Sequence, residues 1–511
     1  MQRTLSEFDL YLIAEGTYHR ACEKLGVHLT QSAGCRGVQF AVWAPNAKAV
    51  SVIGDFNNWN PETAVMRPSS ADVWECFVPD IGQGDVYKYH VESSYGDYSV
   101  DKADPYGFAS EIRPHTASRV WSLETYSWHD GSWMASRAKR NSLESPISIY
   151  EVHPGSWRRV PEGWNRWLTH REMAPLLADY VRDAGFTHIE LLPIMEHPFD
   201  GSWGDQTTGY FAPTSRLGPP ADFMYLVDYL HQNQIGVILD WVSAHFPGDE
   251  AGLGYFDGCY LYEHADPKLG QQPEWNPFVL NYGRNGVHNF LISNALFWLD
   301  KYHADGLGVD AVASIVYLDY GGREAQWIAN RYGGKENIDT IHFLRAMNEW
   351  NHCLSLDWHL LNEPLTEELK RWVRDLNTLY RGEPLLYETD FDPASFEWVD
   401  RKDFQRSIIS FLRRSRNRED QLLFVCNFTP VLRHNYRVGA PSEGFWKEIL
   451  ISDAPLYGGS GQGNFGGLST VPLPSHGQPF SLNMTLSPSR NCRFPAGISR
   501  CRVKREEKRR G

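Results

Sequence analysis

The sequence predicts a multidomain β and α/β protein: a β-sandwich over residues 15–115, part of a (β/α) barrel over 116–382, and a second β-sandwich over 383–488. Three features of the pattern lead there. Residues 37–100 alternate short apolar runs with turn-rich connectors, and short β-like runs return between 385 and 486. Between them, from about 145 to 312, the apolar period becomes strand, helix, strand.

In the first region the strands are expected at 38–43, 49–53, 74–78 and 86–91, separated by turns such as Gly54-Asp-Phe-Asn-Asn-Trp59 and Ile81-Gly-Gln-Gly84. Trp43, Trp59 and Trp74 have the flat faces that stack on sugars, although a sandwich core also takes up such rings.

In the middle region, strands are expected at 147–153, 187–194, 236–242 and 306–312, with helices at 173–184, 223–232 and 289–302. The strands are mostly apolar, as in a parallel barrel sheathed by helices. After a further helix at 336–345 the series stops. An eightfold barrel takes about 250 residues. A last helix at 364–382 carries an apolar stripe of Leu365, Leu369, Trp372, Val373, Leu376 and Leu379. The C-terminal sandwich is expected from runs at 407–412, 422–428 and 446–451, and residues 489–511 read as a basic, disordered tail.

Composition narrows the function. The 511 residues are 42% apolar and 22% charged, which suits a globular chain of roughly three domains. The net charge of −14 hides an uneven spread, because residues 490–511 hold nine Lys/Arg against two Glu. The remaining body is strongly acidic, which excludes nucleic acid as the main partner and suits a neutral substrate. The eight cysteines have no metal-ligand or CxxC spacing, so free thiols in a reducing cytoplasm are expected. No apolar run approaches the ~18 residues of a membrane span, and no partner membrane is expected.

The chemistry concentrates in three motifs. Asp305-Gly-Leu-Gly-Val-Asp-Ala-Val-Ala-Ser314 reads as a buried strand ending in one carboxylate, Asp310. Gly236-Val-Ile-Leu-Asp-Trp-Val-Ser-Ala-His-Phe246 repeats the design with Asp240 at a strand end and His245 beyond it. Gly209-Tyr-Phe-Ala-Pro-Thr-Ser-Arg216 presents Tyr210. Carboxylates on rigid strand ends at a barrel mouth are positioned for catalysis.

Together these motifs resemble the glycogen (1,4-α-glucan) branching enzymes of the α-amylase superfamily, glycoside hydrolase family 13. The resemblance extends over residues 5–345 and 349–486, and the first sandwich resembles the family's carbohydrate-binding module. It implies that Asp310 is the nucleophile of a retaining transfer, in which a covalent glycosyl-enzyme is intercepted by a sugar 6-hydroxyl. It also implies that Tyr210 stacks beneath the reacting sugar, while Asp240 and His245 orient its hydroxyls. Arg158, Trp164 and Trp167 are placed to line the cleft. The substrate is then an α-glucan, and no metal or organic cofactor is implied.

The departures are as specific as the matches. Gly308 stands where the family has an arginine that pairs with the nucleophile, Ser243 where it has proline, and Asp205 where it often has an aromatic residue. No residue matches the general acid, and the acid stays unassigned. By resemblance, the chain near residues 345–349 joins the segment after strand four directly to the segment after strand eight. That leaves no residues for strands five to eight. Glu349 and Glu363 are the nearest carboxylates, yet neither is matched to the acid. The expectation is a branching enzyme by descent, impaired as this chain stands. The alternatives are a non-catalytic glucan-binding protein and an amylolytic or debranching hydrolase.

Overall fold

The computed structural model describes residues 5–32, 34–271, 277–320, 327–350, 367–416, 420–457, 459–488 and 497–502, with the backbone alone at 348–350, 367–370 and 497–502. The chain forms two compact units. One comprises residues 1–135, 149–179 and 188–358, and the other 136–148, 180–187 and 359–511.

The first unit begins with a helix, Glu7–Glu15, capped by Ser6, whose Oγ accepts from Asp9 N while the Asp9 carboxylate accepts from Ser6 N. A sandwich comes next. One sheet runs in the order Gly26–Ser32, Cys35–Trp43, Val73–Pro79, Arg67–Pro68; the other pairs Ala47–Gly54 with Val86–Ser93, which also pairs with Ser99–Lys102 and Ser118–Arg119. Alternating residues of both sheets, including Val38, Phe40, Val50, Val52, Tyr87, Tyr89 and Val91, fill the core. Ser118–Arg119 carries the sheet a few residues past the expected limit of 115.

The barrel part contains a four-stranded parallel sheet: β1 (Ile149–Val152), β2 (His188–Leu191), β3 (Gly236–Trp241) and β4 (Gly306–Val309), ordered 4-3-2-1. The helices α1 (His170–Asp183), α2 (Pro220–Gln232) and α3 (Asn285–Lys301) connect them in sequence. Apolar stripes bury Met173, Leu177 and Val181 on α1, and Phe223, Leu226 and Leu230 on α2. Two buried carboxylates lock α2 to the sheet. Asp305, just before β4, accepts from Val237 N, His231 Nε2 and Trp133 Nε1 at 2.7, 3.0 and 2.9 Å. Asp130 takes His231 Nδ1 and His303 Nδ1, each at 2.8 Å. Burial opposes a charge on His231, but the flanking carboxylates outweigh it and raise its pKa.

All four expected barrel strands form, and among the described residues no fifth strand joins the sheet. The helix Ile338–Trp350 runs unbroken through 345–349, so Glu349 stands on a helix and not on a loop after a strand.

The second unit holds a six-stranded sheet and a two-stranded one. The order of the first is Phe396–Asp403, Ile408–Arg414, Gln421–Asn427, Gly497–Arg502, Phe445–Ile451, Gly467–Ser469; the other pairs Arg433–Ala440 with Phe480–Leu486. Ile408, Leu412, Leu423, Val425, Val438, Trp446, Leu482 and Met484 form its core. The helix Glu367–Gly382, expected to close the barrel, belongs to this unit, where Tyr457 packs on Trp372 and donates to Asp375 at 2.6 Å.

One expectation is corrected here. Within the basic tail, Gly497–Arg502 is a strand, hydrogen-bonded to both Gln421–Asn427 and Phe445–Ile451. Charge argued for a solvated end, but a strand's pairing is made by its backbone, and two sheet edges stand ready on either side.

Candidate active site

The parallel register of β3 and β4 builds the site. Asp240 lies opposite Gly308 and Trp241 opposite Val309, so Asp310 emerges one residue beyond the paired ends, with its N donating to Trp241 O at 3.4 Å. Ala311 then adopts φ 54°, a left-handed conformation costly for a residue with a Cβ, and the chain turns at once into the short helix Val312–Val316. That sharp turn places Asp310 at the mouth of the sheet.

Period-two alternation puts further acids on the same face. Glu151 lies opposite Glu190, and Glu190 opposite Ile238, two residues below Asp240. A Cβ built on Gly308 would meet the carboxylate of Glu190, so the space a side chain at 308 would enter is occupied by Glu190. The electrostatic result is consistent throughout. Burial pushes Asp240 up to about 8, and the charges of Asp310, Glu190, Asp205 and Glu151 add to it. Burial and Glu151 push Glu190 up to about 7, and burial and Asp310 push Asp205 up to about 6. Among the described residues no arginine or lysine forms an ion pair with any of these five carboxylates.

His245 lies on a two-residue strand paired with Phe278–Val279. Burial lowers its pKa, opposed by Asp310, so at neutral pH its imidazole is uncharged. Tyr210 is 0% exposed; its ring packs on Phe290 and its hydroxyl donates to His245 O at 3.0 Å. In this structure Tyr210 supports the backbone of His245.

Around the mouth, Trp203 stacks on His153 at 5.4 Å and is half-exposed. Trp167 lies under the guanidinium groups of Arg113 and Arg159, Arg158 lies over Trp157, and Trp164 is 99% exposed. Arg216 is buried between Glu196 and Asp200 at 2.6 and 2.7 Å. It is therefore committed to those two carboxylates and forms no ion pair with Asp310.

Sequence reasoning missed Glu151 and Glu190. The signal was present, since each is a lone charge between apolar neighbours in a short strand, which alternation sends to the barrel's inner face. Glu363 and the side chain of Glu349 lie outside the described residues. No group of three or more potential ligands that could hold a metal occurs among the described residues.

Known proteins place this geometry in context. Residues 24–107 match the family model of carbohydrate-binding module 48 (isoamylase N-terminal domain), and residues 398–494 that of the alpha amylase C-terminal all-beta domain. The 1,4-alpha-glucan branching enzyme GlgB of Gloeobacter violaceus is 43% identical, covering 95% of this chain and 84% of that one. GlgB of Aquifex aeolicus is also 43% identical, over 95% of this chain and 98% of its own. Both alignments run over 619 positions, whereas this chain has 511 residues, so at least 108 positions carry no residue here. Among solved structures, a pullulanase from Bacillus acidopullulyticus superposes with a TM-score of 0.61 at 14% identity, covering 90% of this chain and 74% of that one. A putative alpha amylase from Salmonella typhimurium gives 0.59 at 16%, covering 90% and 99%. Those two show the fold. Among the described residues no helix is long and apolar enough to cross a membrane.

Proposed function

The chain belongs to the family of the 1,4-alpha-glucan branching enzyme GlgB, and from that premise we propose that it is an α-glucan-binding branching enzyme whose transfer chemistry is impaired. The full reaction would break an α-1,4 bond, hold the glycosyl group on Asp310, and pass it to a 6-hydroxyl as an α-1,6 branch. The observation that carries this reading is the placement of Asp310 one residue past β4, beside Asp240 and Gly308.

The same geometry supports impairment. Retaining transfer needs a second carboxyl about 5–5.5 Å from the nucleophile to protonate the leaving oxygen. Asp240 belongs to the sugar-orienting set, and its high pKa reflects burial and crowding by like charges. Among the described residues no arginine pairs with Asp310, and removal of such a partner costs orders of magnitude in rate. The unmatched alignment positions fit a missing segment holding strands five to eight, which in the family would bring the acid.

Glucan affinity has a separate basis in the first sandwich. Trp74 is buried with its indole N–H on Ala44 O, and Trp43 is half-buried with its ring edge-to-face with Tyr262. Trp59 is 38% exposed, its indole held by Asp55 at 2.9 Å, at a cleft of about 430 Å³ shared with Lys88. An exposed, oriented indole is suited to a sugar face.

The test is incubation of the full chain with amylose, counting α-1,6 linkages by proton NMR beside co-sedimentation with glycogen. Binding with linkages no more abundant than in Asp310→Ala supports the reading. Branching at rates ordinary for enzymes, roughly 1–10³ per second, contradicts the impairment. Released reducing ends without new branches would favour a hydrolase.

A further inference from the structure

Within the second unit, the C-terminal sandwich carries a cleft of about 760 Å³ between the end of Phe396–Asp403, the strand Arg433–Ala440 and the hairpin at 475–478. Its size is that of a small-ligand site. Its lining is polar and its charge is unbalanced. Four cations face it, Lys402, Arg406, Arg433 and Arg437, against two carboxylates, Asp400 and Asp403.

Both carboxylates are already engaged. Asp403 takes Arg406 at 3.4 Å and the Tyr436 hydroxyl at 2.9 Å; Asp400 takes Lys402 N at 2.9 Å and faces His476 Nε2 at 3.6 Å. Arg433 gives one Nη to Arg406 O at 3.4 Å, while its Nε is buried without a partner. Among the described residues Lys402 and Arg437 have no carboxylate partner either. Lys402 and Arg437, without carboxylate partners, thus line one cleft together with Arg433 in an otherwise acidic protein.

We propose that this cleft binds a phosphate monoester, with a sugar phosphate as the ligand class. A neutral glucan chain would leave the excess positive charge of the lining unanswered. A phosphate offers three acceptor oxygens that suit planar guanidinium forks, and the hydroxyl-rich remainder suits Ser475 and Asn435 on the rim. The site is separate from Asp310 and does not rest on branching activity.

The experiment is calorimetric titration of the full chain with inorganic phosphate and, separately, glucose 6-phosphate, repeated on Arg437→Ala and Lys402→Ala. Arg437 and Lys402 are exposed, so neither change empties the core. Saturable binding is expected, with Kd below about 1 mM for at least one of the two probes. Each variant should weaken it about tenfold or more. Tighter glucose 6-phosphate identifies a sugar phosphate as the ligand; equal affinities assign recognition to the phosphate alone. No saturable heat from either probe overturns the proposal. So does affinity unchanged in both variants, or displacement of bound phosphate by neutral maltoheptaose.

Discussion

Gly308 faces Glu190 across the strand between them: the missing side chain of one leaves the space that the carboxylate of the other fills. The relationship links a sequence departure to the electrostatics of the whole site. Where a cation was expected, an acid stands, and the carboxylates around it are pushed toward their neutral forms.

Gly308→Arg should reverse this. The contact it makes is with the far end of a flexible Glu190 side chain, which can move aside to pair with the guanidinium. Glu190, now pushed up to about 7, should return toward the ordinary ~4.3 of glutamate. Thermal melts from pH 5 to 8 should then vary less with pH than those of the parent. An unchanged pH dependence would show that the arginine does not reach these carboxylates.

Asp240 gives a second pH effect. Its pKa of about 8 in the fold exceeds the unfolded ~3.9, so the native state binds the extra proton. That contribution is complete below pH ~4 and is lost as pH rises through about 8. Asp240→Asn should leave stability at pH 4.5 nearly unchanged and raise it at pH 8.5 by about 1–3 kcal/mol. Denaturant midpoints at the two pH values check this, and equal shifts at both would contradict it.

The trio Asp130–His231–Asp305 works in a different window. His231 is raised, so its share of stability is full below pH ~6.5 and fades as pH climbs through its folded pKa. Burial would raise both aspartates, yet their hydrogen bonds lower them, so their share is present above pH ~4 and lost on acidification. His231→Leu removes the shared donor of two buried carboxylates and should cost about 3–5 kcal/mol at pH 6. A loss under about 1 kcal/mol would mean that the network does not hold α2 to the sheet.

Truncation after residue 496 should destabilise the C-terminal sandwich, because Gln421–Asn427 and Phe445–Ile451 lose the strand between them. Hydrogen exchange is the direct readout. Amides of 421–427 that bond to Gly497–Arg502 should lose protection, and retention of that protection would refute the pairing.

Much of this was legible in the sequence because local pattern and tertiary demand agree there. The four barrel strands, the helices between them and most sandwich strands form within a few residues of their expected bounds, as apolar period and buried face coincide. The strand-end placement of Asp310 and Asp240 was legible because a carboxylate closing an apolar strand is conspicuous. Glu190 and Glu151 were not, because their importance depends on register between strands distant in sequence. The burial of Tyr210 was not legible, because its motif says where the backbone runs and not whether the ring is covered. The strand Gly497–Arg502 was hidden by its charge, which says nothing about the edges waiting for its backbone.

The most direct measurement of the central claim separates nucleophile from acid. An α-maltotriosyl fluoride needs no proton on its leaving group, so a nucleophilic carboxylate can act on it without a general acid. The account predicts fluoride release by the full chain that Asp310→Ala abolishes, with no new α-1,6 linkages on amylose. Fluoride release that does not depend on Asp310, or vigorous branching of amylose, would contradict it.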